Sequence, residues 1–212
     1  MFRSARSALT VALVATGLVL APAAEAGGLR GKVVSTTTTT SSAGTSPAPK
    51  RAVAAQDGVC RNADLQPSAQ DQDAVRAAVL CLLNRERTRR GLGELRQHPR
   101  LHAAALAHSA DMAARDFFEH TTPGGSSMVD RILGARYVRR SEGWSLGENL
   151  AWGTGTLSTP DKIVKAWMQS AGHRANVLRG AFREIGIGVV PNLPFRSTRP
   201  GATYTTDFGL RR

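Results

Sequence analysis

Gly147-Glu148-Asn149, Trp167-Met168, Gly172-His173-Arg174-Ala175-Asn176 and Glu184-Ile185-Gly186-Ile187-Gly188 follow one another in the second half of this 212-residue chain. Acidic and imidazole side chains alternate there with short apolar runs and glycines. Packed elements, rather than one flexible loop, hold polar groups in such a pattern. Phe118-Glu119-His120 adds a second histidine from just upstream.

Outward from this stretch, the flanks differ in character. Downstream, residues 184–190 and 203–208 are β-type runs separated by a loop with Pro and Gly, which reads as an antiparallel pair. Upstream, Val75, Ala78, Val79, Leu82 and Leu83 recur at helical spacing, so residues 71–90 read as an amphipathic helix ended by Gly91. Asp71 and Asp73 suit its positive end and the arginines its negative end. Pro99 opens an alanine-rich helix to about residue 114, and a short one spans 127–133. A fourth begins at Ser158 or Thr159 with Pro160 in its first turn and stops near Ala171-Gly172. Helices first and strands last predict an α+β layered domain.

The N-terminus has its own logic. Arg3 and Arg6 precede an uncharged apolar run at 8–20, and Ala24-Glu25-Ala26 offers small residues at cleavage spacing. Residues 1–26 therefore read as a secretory signal peptide. The apolar run falls short of the ~20 residues that span a bilayer. No later stretch reaches transmembrane length, so the expectation is a secreted, extracellular protein. Residues 27–57, with threonines at 36–40 among Ser, Gly, Ala and Pro, are too poor in apolar surface to offset ordering entropy and read as a disordered stalk. Residues 58–212 then form one domain.

Cys60 and Cys81 are the two cysteines, and an oxidising compartment favours a disulfide between them over two free thiols. The formal charge is +12, and loss of Arg3, Arg6 and Glu25 with the leader leaves +11. Such a charge predicts attraction to anionic cell-envelope polymers or lipid head groups. Nucleic acid is not expected, because the basic residues are scattered and no aromatics interleave with them.

His120, Glu148 and His173 are the residues able to act in concert. Two imidazoles and a carboxylate can hold a divalent metal such as zinc, or serve as general acid and base. The alternative is that the histidines cap turns and Glu148 pairs with a nearby arginine. Gly143-Trp144-Ser145-Leu146-Gly147 matches the G-x-S-x-G pattern of a hydrolase elbow, but its flanks lack the required buried strand and helix. His102 and His108 read as surface or boundary residues. Trp144, Trp152 and Trp167 read as core and cleft wall.

The segments Phe118-Glu119-His120-Thr-Thr-Pro-Gly-Gly-Ser, Gly147-Glu148-Asn149-Leu-Ala-Trp-Gly, Trp167-Met-x-Ser170-x-Gly172-His173-Arg174-x-Asn176 and Glu184-Ile-Gly-Ile-Gly-Val resemble a CAP domain. This is the superfamily of cysteine-rich secretory proteins, antigen 5 and pathogenesis-related 1, here in its bacterial SCP-like form. Leu83-Asn84-x-x-Arg87 and Asp207-Phe208-Gly209 fit its opening and close. The resemblance implies a three-layer α–β–α sandwich around a small antiparallel sheet, with His120, Glu148 and His173 in a surface cleft. Eukaryotic members generally carry a second acid between the Gly-Glu-Asn motif and the second histidine. The chain has Trp167-Met168-Gln169-Ser170 there, and Glu184 is a weaker candidate to replace the acid in space. The expected function is binding of a lipid-like or anionic ligand in that cleft, at or outside the cell envelope. The rival is a metal-dependent hydrolase using His120, His173 and Glu148.

Overall fold

The computed structural model describes residues 11–13, 17–20 and 59–211. The expected stalk, 27–57, lies outside the described residues, as does most of the expected leader. The elements run β1 (Val11–Leu13), β2 (Gly17–Leu20), α1 (Gln72–Thr88), β3 (Arg96–Gln97), α2 (Pro99–Arg115), α3 (Met128–Gly134) and β4 (Trp144–Thr154). After a 3-10 turn at Gly155–Ser158 come α4 (Pro160–Gln169), α5 (Ala171–Val177), β5 (Glu184–Val190) and β6 (Gly201–Arg211).

The sheet order is β1-β4-β6-β5-β3, with β2 also on β4. β4, β6 and β5 are antiparallel, and β3 adds to β5 in parallel. The expected β5–β6 pair is present, but β4 is a further long strand that the sequence reading does not assign. Gly147, Glu148, Asn149 and Gly153 interrupt its apolar alternation, so its period of two is hidden. α5 is also unassigned there, because a helix of seven residues with Gly172 near its start is under two turns long, too short to show a periodicity.

Local chemistry sets the helix ends. Gly91, at φ +71, stands just past α1. The His98 side chain caps α2 by accepting from the Arg100 N–H, and Asp116 closes that helix in the left-handed region. Ser127 and Asp130 form a reciprocal capping box on α3.

Two cores lie on opposite faces of the sheet. On one face, Val75, Val79 and Leu83 of α1 and Ile163, Val164 and Trp167 of α4 pack on Ile185, Ile187, Val189, Tyr204 and Phe208. On the other, Leu101 and Ala104 of α2 and Met128 and Ile132 of α3 pack on Trp144 and Leu146 of β4. This is the expected α–β–α sandwich. Gly186 and Gly188 let α2 lie directly on β5, since a Cβ at either would strike the backbone of Leu101 or Ala105. The Cys60–Cys81 disulfide is formed, with Cα atoms 5.6 Å apart, and ties residue 60 to α1.

Candidate functional site

Strand alternation decides which residues meet. On β4, Gly147 and Asn149 face α5: a Cβ at Gly147 would touch Asn176, and the Asn149 amide donates to the His173 carbonyl at 3.1 Å. Glu148 therefore points the other way, toward α2 and α3, and is fully buried.

There the chain leaving α2 makes a tight turn. The Gly125 N–H donates to the Thr122 carbonyl at 2.8 Å, and the Ser126 N–H to the Thr122 hydroxyl at 3.0 Å. This brings the His120 ring to Glu148, with Nδ1 2.7 Å from Oε1. One turn into α3, Arg131 donates to the His120 carbonyl at 2.9 Å, to the Ser126 carbonyl at 3.1 Å and to Glu148 Oε2 at 2.6 Å. Both Glu148 oxygens are thus engaged.

Burial would raise the Glu148 pKa, but the His120 hydrogen bond and the nearby Arg131 charge outweigh it and hold the carboxyl below its usual range. An ionised carboxylate only accepts, so His120 Nδ1 carries the shared proton. Beneath the turn, His108 is wholly buried, with Nε2 2.9 Å from the Glu119 carbonyl oxygen. This corrects the reading of His108 as a surface or boundary residue. Burial pushes its pKa down to about 4, so it is neutral at physiological pH. His102 is half-buried, with its ring nitrogens 2.7 Å from the Ile187 carbonyl oxygen and 2.8 Å from an Arg76 guanidinium nitrogen.

The acid opposite Glu148 is Asp207, its register partner on β6. Asp207 is fully buried, and Glu148 is the one side chain among the described residues that its carboxyl meets. Burial first, then the Glu148 charge, raises its pKa well above the ordinary value, so Asp207 keeps its proton where Glu148 has lost one. Sequence reasoning misses Asp207, Arg131 and His108 as companions of Glu148. The one signal available was the Asp207-Phe208-Gly209 motif.

The other candidates lie apart. His173 belongs to α5 on the opposite face, with Nδ1 2.7 Å from the Ser170 hydroxyl. Glu184 accepts from the Tyr137 hydroxyl at 2.7 Å and from two Arg211 nitrogens at 3.0 and 2.7 Å. Ser145 sits inside β4, 2% exposed, and not at a strand-to-helix elbow. Trp167 is core, and its indole N–H donates to the Leu150 carbonyl at 3.0 Å.

A divalent metal does not fit this arrangement. Among the described residues, no three His, Cys, Asp or Glu side chains are grouped to hold an ion. A guanidinium already occupies one oxygen of the would-be carboxylate ligand and would repel a cation. What the cluster does chemically is pin the loop before α3 to the centre of β4.

The fold and these motifs define a bacterial SCP-type domain. The profile of the cysteine-rich secretory protein family, CAP, matches residues 80–200, and the chain belongs to that family. It is 36% identical over 132 residues to YkwD of Bacillus subtilis (strain 168), covering 61% of this chain and 45% of that one. A membrane protein of the same organism, YlbC, is 27% identical over 111 residues, covering 52% and 30%. The chain thus spans less than half the length of the curated relatives it matches.

Among solved structures, an extracellular protein containing a SCP domain from Bacillus anthracis str. Ames superposes with TM-score 0.54 at 26% identity, covering 66% of this chain and 41% of that chain. An outer surface protein from Borrelia burgdorferi shares the fold, with TM-score 0.50 at 20% identity and coverage of 61% and 87%. Among the described residues no helix is long and apolar enough to cross a membrane.

Proposed function

We propose that this protein works outside the cell, at the envelope, as a non-catalytic CAP module that binds an anionic ligand through its positive surface. The observation that carries this reading is the internal pairing of Glu148. His120 and Arg131 take both its oxygens, so the carboxylate is not available as base or ligand, and the strongly positive charge is the chemistry left to act. The extracellular and outer-surface descriptions of two structural neighbours agree with that location.

The test is co-sedimentation of the purified protein with phosphatidylglycerol vesicles and with polygalacturonate, against phosphatidylcholine vesicles and neutral dextran. Retention on an anionic partner, released at about 1 M salt where the Debye length falls to about 3 Å, is the expected result. No retention at low salt overturns the reading. Titration with Zn²⁺ is expected to give no heat. Stoichiometric heat that disappears in a His120→Ala/His173→Ala variant would replace this reading with the metal-dependent hydrolase.

A further inference from the structure

One large concavity among the described residues is not lined by His120, Glu148 or His173. It is a groove of about 890 Å³ where the entry to β3, the start of β5 and the end of β6 converge. That volume lies within the usual range for ligand sites, about 300–1,000 Å³. Arg96, Arg183 and Arg211 line it together with Glu94, Glu142 and Glu184.

Strand pairing gathers these arginines. The Arg96 N–H donates to the Arg183 carbonyl at 2.9 Å, and Arg96 stands opposite Glu184 in the parallel β3–β5 register. The Arg183 N–H donates in turn to the Gly209 carbonyl at 3.1 Å, beside the end of β6. Their backbones are therefore fixed before any ligand arrives, which lowers the ordering cost of binding.

The six charges are not equally committed. Arg211 is held by both oxygens of Glu184, so that pair is neutral overall. Glu142 lies 3.9 Å from the Arg139 guanidinium and accepts the Arg139 N–H. Arg183 bends back so that its Nη1 donates to the carbonyls of Gly180 and Phe182, which leaves its charge uncancelled. Arg96 is exposed, and among the described residues no ion pair or side-chain hydrogen bond engages its guanidinium. Two guanidiniums then face the single uncommitted carboxylate of Glu94.

We infer that this groove is the site for a segment of a linear polyanion, with Arg96 and Arg183 as its anchors. The inference rests on the proposed anionic ligand and adds the place and shape of its binding. A guanidinium takes a carboxylate or phosphate through paired N–H donors, and two carried on neighbouring backbone segments favour repeated charges over a lone ion. Both polymer chemistries present that pattern.

Calorimetric titration with tetragalacturonate and, separately, with linear polyphosphate tests it and tells the two sources apart. Wild type should bind at least one probe. Arg96→Glu/Arg183→Glu should weaken that binding about tenfold or more, consistent with loss of charge-assisted hydrogen bonds. Glu94→Gln should tighten it. Arg89→Glu/Lys165→Glu makes the same charge change in a separate groove and should leave affinity within about threefold, a small free-energy change. Thermal melts check folding, and Arg96→Glu alone is the fallback, since among the described residues that side chain makes no hydrogen bond or ion pair. Equal weakening by both double variants means diffuse attraction and overturns the groove while sparing the proposed function. Failure of wild type to bind either probe overturns the groove, and the vesicle and polymer assay then decides the function by itself.

Discussion

At the scale of single residues, Glu148 shows how a buried charge is made tolerable. It is wholly inside the protein, yet one imidazole and one guanidinium meet its two oxygens. Removing one partner from such a pair leaves an uncompensated charge, which typically costs about 3–5 kcal/mol. Arg131→Ala should therefore lower unfolding free energy by about 3 kcal/mol or more in denaturant titration. It should also loosen the 120–126 turn, whose carbonyls Arg131 holds. A loss under about 1 kcal/mol would mean that Glu148 had picked up a proton instead, as buried carboxyls do. Arg87 plays a related part: fully buried, it donates to the carbonyls of Gly93, Val177, Arg179 and Phe182. Both arginines are structural, although arginine in a basic sequence reads first as surface charge.

Among the elements, α2 lies so near β5 that no side chain fits between them at two positions, and the contact depends on glycine. Gly188 faces the backbone of Ala105 and Leu106. A methyl group there cannot be accommodated by moving a side chain. Gly188→Ala should cost about 1–3 kcal/mol, as overpacked cores do, and shift the thermal midpoint down by several degrees. An unchanged midpoint would show that α2 can slide on the sheet. The alternation Glu-Ile-Gly-Ile-Gly-Val was legible as a strand, but the contact that its glycines make with the backbone of α2 was not. The β4 strand was not legible, because its Gly-Glu-Asn centre carries the site rather than the core. There, buried polar pairing interrupts the local apolar pattern.

For the whole molecule, stability should depend on pH through two buried groups of opposite sign. His108 is neutral in the fold, with its pKa pushed down to about 4. As pH falls below about 6.5, the unfolded chain takes up a proton that the folded one refuses. The stability His108 gives is complete above that pH and is lost as pH falls through about 4, on the order of 3 kcal/mol in all. Asp207, with its pKa raised by burial and by Glu148, works the other way. Its contribution is present at low pH and is lost as pH rises through its folded value. Denaturant titrations from pH 4 to 8 should find that His108→Gln flattens the acid side. Asp207→Asn should raise stability most at the alkaline end. Parallel curves for wild type and both variants would mean that neither group is perturbed in the fold.

The chain by itself determined the layered α+β class, four of the five α-helices among the described residues, the β5–β6 pair, the cysteine pairing and the family, because periodicity, turn residues and motifs are local. It also offered, as the plainer alternative, that Glu148 pairs with a nearby arginine, and the structure supplies Arg131. Only the tertiary structure decided which candidates share a compartment. One residue of strand register turns Asn149 toward α5 and His173, and Glu148 toward His120, Arg131 and Asp207. Spacing along the sequence does not carry that information. It arises when β4 is laid against β6 and each face of the sheet receives its own helices.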